Sequence, residues 1–346
     1  MHQLACKPDY FFADTTTPAC ALPSRRRALG LAAALGAGLL LASGATAAAG
    51  FPERAVTVVV PYAPAGGVDI VTRLVTTPMA EFLGQSIVVE NKPGGGTNIG
   101  MAAVARSAPN GYTLLTASNT LTTNKALYSK LSFDPATDLI PVGRIGEAPL
   151  VVVVNAKSPY KSLAELIAAG KAKPGALSYG TAGVGSSGHM ASALLEKAGQ
   201  FKGVHIPYKG GSTAVTDLLG GRLDFMAINP LEVAGHVNSG NLRALAVLNK
   251  NGSRLLPQVP TARSLGVDVQ ATVWWGLVAP KGTPEAVIQT LNAALNKALT
   301  TPAVTQTLAD MGATPLGGTP AQFGSFIQAE TRELGDVIRA ADIRAD

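Results

Sequence analysis

Residues 57–70 read TVVVPYAPAGGVDI, a β-branched run that stops at Pro61 and passes through a Gly-containing turn into a helical pattern. Val and Ile favour the pleated strand, whereas Pro and Gly punctuate it. A strand that ends in such a turn and feeds a helix is the first half of a parallel β–α–β unit. It also aims free backbone N–H groups, at the positive end of the helix, at whatever lies above the strand. The stretch therefore fixes an α/β fold and marks a first candidate anion site.

The same alternation continues in both directions from this unit. Ala55–Val60 reads as a buried strand and Val68–Leu83 as an amphipathic helix. Ser86–Glu90, Tyr112–Ala117 and Pro149–Asn155 are further strands, with a helix over Ile99–Ser107. After a break at Lys157–Lys161 a second series begins: helix Leu163–Lys171, strand Leu177–Tyr179, helix Gly188–Gly199, strand Gly203–Ile206 and helix Ser212–Leu219. Leu223–Ile228, a helix over Leu231–Val237, and Leu242–Leu248 extend it. A strand returns at Val273–Pro280, and helices starting at Pro284, Pro302 and Pro320 close the chain, each with Pro at its entrance. This order predicts parallel β–α–β units in two lobes, at residues 51–152 and 153–274, with residues 275–346 completing the first. Two strands, near Val151–Asn155 and Val273–Leu277, would cross as a hinge and place a ligand cleft above strand C-termini.

Residues 1–47 read as an export signal. SRRRALG (24–30) precedes an apolar Ala/Leu stretch to about Ala42, and small residues follow in SGATAAAG (43–50). Paired arginines point to the twin-arginine route. Cleavage near residues 47–50 would leave a periplasmic protein, and losing four basic and two acidic residues with residues 1–47 lowers the formal charge from +6 to +4. So small an excess is no nucleic-acid footprint. Both cysteines, Cys6 and Cys20, lie in the removed segment, so the mature chain would hold no disulfide and no Cys metal site. With 47% hydrophobic and 14% charged residues over its full length, the chain has ample material for a core.

Four strand-end junctions stand out: Pro61–Asp69 (PYAPAGGVD), Thr116–Thr120 (TASNT), Gly180–His189 (GTAGVGSSGH) and Ile228–Glu232 (INPLE). The first and third open helices in different lobes, so two amide-lined mouths facing each other could grip one small anion. Each also has a plainer reading: Gly-rich turns are mostly turns, Asp69 suits a first helical turn, Ser186 or Ser187 suits a cap, and Trp274 and Trp275 suit a hinge core. Catalytic motifs fit poorly. GVGSSG is not G-x-S-x-G, AGGVD lacks the Lys-Ser/Thr of a P-loop, and GGGTNIG (94–100) misses the dinucleotide fingerprint. His189, His205 and His236 have no metal-ligand spacing. No catalytic residue, cofactor or metal is expected. The competing enzyme reading is a secreted serine hydrolase using Ser186 or Ser187 with His189.

The segments VVVPYAPAGGVDI, VVENKPGGGTNIG, APNGYTLL, YGTAGVGSSGHM, VHIPYKGGSTAVTDLLGGRLDFM and LRALAV together resemble the Bug family, periplasmic substrate-binding receptors of tripartite tricarboxylate transporters. LPQVPTARSLGV, WWGLVAPKGTP and LADMGATPLGGTPAQF carry the likeness into the C-terminal third. The resemblance implies a two-lobed, type II-like periplasmic binding protein fold. It implies a monomeric receptor that captures a small organic carboxylate, either a di- or tricarboxylate or an aromatic or other monocarboxylate, and delivers it to a membrane permease or a sensor kinase. It also implies contacts from Tyr62, Ala65, Gly66, Gly67 and Asp69 after the first strand, and from Ser118 and Thr120 in the first lobe. Thr181, Ser186, Ser187, His189 and Asn229 are the matching positions in the second. The carboxylate would meet the N–H groups of Ala65–Gly67, with Asp69 receiving a ligand hydroxyl or a bridging water. The family's loop commonly reads PPGGGTD, so Ala65 replaces a Gly and Val68 a Thr; Ile228 replaces a frequent acidic residue. Those departures predict a less polar pocket and a ligand other than an amino acid.

Overall fold

The structure, a computed structural model, describes residues 50–340 and 343–345; the expected export signal at residues 1–47 lies outside them. The larger sheet has the order β11-β4-β10-β3-β1-β2. Its strands are β1 (Val56–Val60), β2 (Ile87–Asn91), β3 (Thr113–Ala117), β4 (Leu139–Pro149), β10 (Thr272–Pro280) and β11 (Thr314–Pro315). The smaller lobe holds an antiparallel set β8-β5-β9 and a parallel pair β6-β7. These are β5 (Val151–Asn155), β6 (Leu177–Thr181), β7 (Gly203–Pro207), β8 (Met226–Ile228) and β9 (Leu242–Val247). A bridge between Tyr179 and Phe225 joins the two sets edge to edge.

The parallel expectation holds for β2-β1-β3 and for β6-β7, but not for the other strands of either set. β10 runs antiparallel to both β3 and β4 because it arrives from the other lobe instead of through a crossover helix. Strand β4 and helix α3 (Thr120–Leu127) are absent from the sequence-based reading. Pro141, Gly143 and Gly146 make β4 look like loop, yet the close packing around it requires those glycines. A Cβ on Gly143 would stand 2.8 Å from Asn292 Nδ2 and from Leu295 Cδ2, and one on Gly146 would stand 2.5 Å from the Thr314 carbonyl. Helix α3 (TLTTNKAL) is poor in helix formers and is held by burial of Thr122, Thr123 and Asn124.

The other helices follow the sequence pattern closely. They are α1 (Gly67–Leu83), α2 (Asn98–Ala105), α4 (Leu163–Ala172), α5 (Ser187–Gly199), α6 (Gly211–Leu219), α7 (Pro230–Asn238), α8 (Glu285–Thr300), α9 (Pro302–Asp310) and α10 (Pro320–Ala340). In α1 the buried set Val68, Val71, Thr72, Val75, Thr76 and Met79 recurs at three- and four-residue spacing, which lays one face on the sheet. Gly84 ends it in the left-handed conformation with its N–H on the last carbonyls. Helix α10 returns to lie against α3 and β4, where Phe323 and Phe326 each pack nearly perpendicular to Trp274.

The chain passes between sheets at Leu150 and again at Ala271. The two crossings are tied by a ring of main-chain bonds: Leu150 N–H to the Ala271 carbonyl (3.1 Å), Leu248 N–H to the Leu150 carbonyl (2.7 Å), and Ala271 N–H to the Leu248 carbonyl (2.8 Å). The lobes also touch away from this ring. Ala63 N–H donates to the Lys209 carbonyl (3.0 Å), Ser212 Oγ to the Pro64 carbonyl (3.2 Å), and Thr123 Oγ1 to the Gly185 carbonyl (2.8 Å). The strand ends of the two sheets are thereby drawn face to face.

Gly146→Ala should cost about 1–3 kcal/mol through overpacking against the Thr314 carbonyl. Thermal unfolding followed by circular dichroism should show a melting point several degrees lower, and an unchanged melting point would disprove the packing argument.

Candidate functional site

Four helix N-termini border one small cavity of about 40 Å³ between the sheets. α1 contributes Gly66 and Gly67, α5 contributes Ser186 and Ser187, α6 contributes Gly211, and α7 contributes its N-cap Asn229. Each start leaves orphan N–H donors and partial positive charge at its mouth. Among the described residues that line the cavity there is no lysine or arginine. The arrangement can hold an anion with main-chain dipoles alone.

The first turn is shaped by Ala65 and Asp69. Ala65 has φ +60°, a left-handed conformation that costs an alanine roughly 1–2 kcal/mol. Asp69 Oδ2 offsets this by accepting the Ala65 N–H at 3.0 Å. Its two oxygens also take the Arg73 guanidinium and the Asn91 amide. Burial alone would raise the Asp69 carboxyl, but these hydrogen bonds bring it below its ordinary value. Asp69 is thus engaged inside the first lobe and is not among the residues that border the cavity, although the resemblance places a ligand hydroxyl or bridging water on it. Ala65 N–H is likewise committed, so Gly66 and Gly67 carry the mouth.

Tyr62 and Ser118 reach the cavity from the larger sheet. The Tyr62 hydroxyl lies 3.1 Å from Thr120 Oγ1, and burial pushes it up to about 12, so it stays neutral. Thr120 itself stands behind Tyr62. On the other side, Thr181 and His189 are placed away from the cavity. Ser186 caps α5, and the helical period then turns His189 inward. There its ring stacks on His205 with centroids 3.9 Å apart, and His205 stacks on Tyr179. His189 Nδ1 accepts the Gly185 N–H at 3.1 Å, and Thr181 Oγ1 lies 2.6 Å from His205 Nε2. Burial, with the neighbouring ring, pushes His189 down to about 3, and burial pushes His205 down to about 4. Ser186 Oγ donates to the Gly183 carbonyl at 2.7 Å and does not meet the imidazole. No nucleophile–base pair forms at either serine.

Sequence reasoning missed Trp275, Gly211 and Glu232. Trp275 is 1% exposed and, beyond its place in the hinge core, presents one edge to the cavity. Glu232 sits three residues after the Asn229 cap, and its carboxyl crosses to the other lobe to lie against Gly67, where the backbone partly offsets the cost of its burial. Burial pushes this carboxyl up to about 7. Where the family often has an acidic residue at the position of Ile228, this cavity is bordered by the carboxyl of Glu232. The INPLE junction held the signal, but only the approach of α7 to α1 gives it meaning.

Three polar atoms at this cavity are buried without a partner: Asn229 Nδ2, Trp275 Nε1 and Glu232 Oε2. Each such atom costs about 1–3 kcal/mol, and native proteins hold few of them. Two donors and an acceptor gathered at one cavity mark the place where a polar guest would sit.

A family model described as a tripartite tricarboxylate transporter family receptor matches residues 71–343. The chain belongs to this family. Protein BugT of Bordetella pertussis is 39% identical over 292 residues, 84% of this chain and 90% of that protein. The solved structure of the periplasmic binding protein BugD superposes with a TM-score of 0.82 at 30% identity, covering 86% of this chain and all of BugD. MatC from Rhodopseudomonas palustris with bound malate gives 0.79 at 33% identity, with 83% and 100% coverage. Another R. palustris protein with adipate gives 0.81 at 31% identity, with 85% and 99% coverage. These likenesses give the receptor its two-lobed fold and make it a substrate-binding protein, not an enzyme. The serine hydrolase reading falls on that ground as well as on the placement of His189.

The buried histidines of this receptor have an acid signature. Both are neutral in the folded protein and take up protons on unfolding below pH about 6.5. Stability is therefore complete above that pH and is lost as pH falls toward the folded values near 4 and 3. The slope is up to about 1.4 kcal/mol per pH unit for each histidine. Urea midpoints measured from pH 8 to 4 should be level and then fall, with a shallower fall in His205→Gln; equal slopes in the two proteins would refute the assignment.

Proposed function

We propose that the protein is a periplasmic receptor that closes two lobes over a small organic carboxylate and presents it to a membrane permease of the tripartite tricarboxylate type. The observation that carries this reading is the cluster of unpartnered polar atoms at a cavity where four helix N-termini from both lobes converge. Helix starts favour carboxylate, and the glycines let it approach the N–H groups. Neighbours with malate and adipate support the same class of guest, since both are small dicarboxylates. The Asn229 amide, the Trp275 indole N–H and the hydroxyls of Ser118 and Ser187 would orient it. Closure would proceed by rotation about the Leu150 and Ala271 crossings, which are the chain's two passages between the sheets.

Residues 1–47 would direct export and be removed. Amino-terminal sequencing of periplasmic material should find the chain beginning between Ala48 and Phe51, and recovery of residues 24–47 on that material would exclude the cleavage.

A side chain at Gly67 tests the seat directly. Its Cβ would stand 3.1 Å from Glu232 Oε1 and 3.4 Å from Asn229 Nδ2, pointing into the cavity. Calorimetric titration with malate, adipate and a panel of related carboxylates should identify a ligand for the wild type. Gly67→Val should then bind it at least tenfold more weakly, a loss of about 1.4 kcal/mol or more, with an unaltered circular dichroism spectrum. Wild-type affinity in folded Gly67→Val would place the ligand elsewhere.

A further inference from the structure

Glu232 stands apart from the other groups of the cleft because it is itself a carboxylate. It lies on α7 in the smaller lobe, yet its carboxyl rests against Gly67, the first residue of α1 in the larger one. Three glycines make room for it. A Cβ on Gly66 would come within 3.6 Å of Oε2, one on Gly67 within 3.1 Å of Oε1, and one on Gly211 would run into the carboxylate. The carboxyl thus lies in a cradle formed by the starts of α1 and α6, which is the kind of seat a free carboxylate would use.

The hold is weak. Oε1 lies against Gly67, while Oε2 is buried with no partner. Beside it, the Asn229 side chain is 4% exposed and its Nδ2 is likewise without a partner, 3.4 Å from a Cβ built on Gly67. A carboxylate better matched to this place would satisfy both. Glu232 also has a second home. Asn229 is the N-cap of α7 and Glu232 is its third helical residue, which is the spacing of a capping box. In that motif the acidic side chain turns back to the N–H of the cap residue, so a few side-chain torsions separate the two positions.

We propose that Glu232 is a tethered stand-in for the ligand, a specificity-determining residue whose carboxyl holds the amide seat at the start of α1 and joins the lobes until a free carboxylate takes that seat from it. The inference rests on the carboxylate reading of the cleft. Displaced, Glu232 returns to the N-terminus of its own helix, where its charge is still favoured by the helix dipole. Only guests that satisfy the seat and the Asn229 amide better than Glu232 does displace it, so weakly matched anions are rejected. The elevated proton affinity of the buried group agrees with a carboxylate that is held and not locked.

Two variants test this, Glu232→Ala and Glu232→Gln, each checked for folding by circular dichroism. Hydrogen exchange of the peptide spanning residues 62–70, without ligand, should be at least threefold faster in Glu232→Ala than in wild type. Small-angle scattering of the same samples should show a larger radius of gyration. Affinity for whichever of malate or adipate binds the wild type should rise about tenfold in Glu232→Ala, with a smaller rise in Glu232→Gln, which keeps an acceptor oxygen. Unchanged exchange and radius would overturn the stand-in. A fall in affinity would overturn it too, by making Glu232 a direct partner of the ligand. If neither acid binds wild type or variants, the carboxylate reading fails for these probes, while exchange and scattering still decide whether Glu232 holds the seat.

Discussion

The whole arrangement depends on three main-chain hydrogen bonds among Leu150, Leu248 and Ala271. They tie together the two places where the chain leaves one sheet for the other, at the ends of β4 and β10. The starts of helices from both lobes meet at the cavity beside this crossing. The larger sheet receives β10 antiparallel, since the returning strand must run back from the smaller lobe. Geometry at the crossing therefore decides both the sheet order and the position of the cavity.

Much of this was legible from the residues. TVVVPYAPAGGVDI carries its strand, its turn and its helix start in local chemistry, and the alternation beyond it needs no tertiary information. The failures have definite causes. β4 contains Pro141, Gly143 and Gly146, which argue against a strand until Asn292, Leu295 and the Thr314 carbonyl are seen pressed against those glycines. Helix α3 is Thr-rich and stands because it is buried, a tertiary override of weak propensity. Among the candidate site residues, Tyr62, Gly66, Gly67, Ser118, Ser186, Ser187 and Asn229 border the cavity. Asp69, Thr181 and His189 were drawn into neighbouring hydrogen bonds that no spacing rule reveals. Glu232 was invisible for a different reason: its partner lies on a helix 165 residues earlier in the chain, so only the closed approach of α7 to α1 assigns it.

The polar economy of the cleft is also instructive. Asp69 stabilises a turn that Ala65 would otherwise resist, and it does so from outside the cavity. His189 and His205 are stacked and neutral, filling the smaller lobe behind its loop. Charge is thus kept away from the cavity except at Glu232, and the remaining donors there are neutral groups with fixed directions. A guest would be recognised by the pattern of those directions more than by its net charge, which suits discrimination among acids of similar charge.

Gly66, Gly67 and Gly211 offer the cavity only backbone, and that has a consequence for how such a protein can change over time. An anchor made of amides is untouched by substitution at most surrounding positions, since every residue except proline brings the same N–H. The walls are a separate matter: Val68, Ala182 and Val273 border the cavity through side chains. Exchanging any of them would alter the room left for the body of the guest while leaving its carboxylate grip intact. Grip and shape are written in different parts of the chain, so a new ligand can be acquired in single steps, each passing through a protein that still binds.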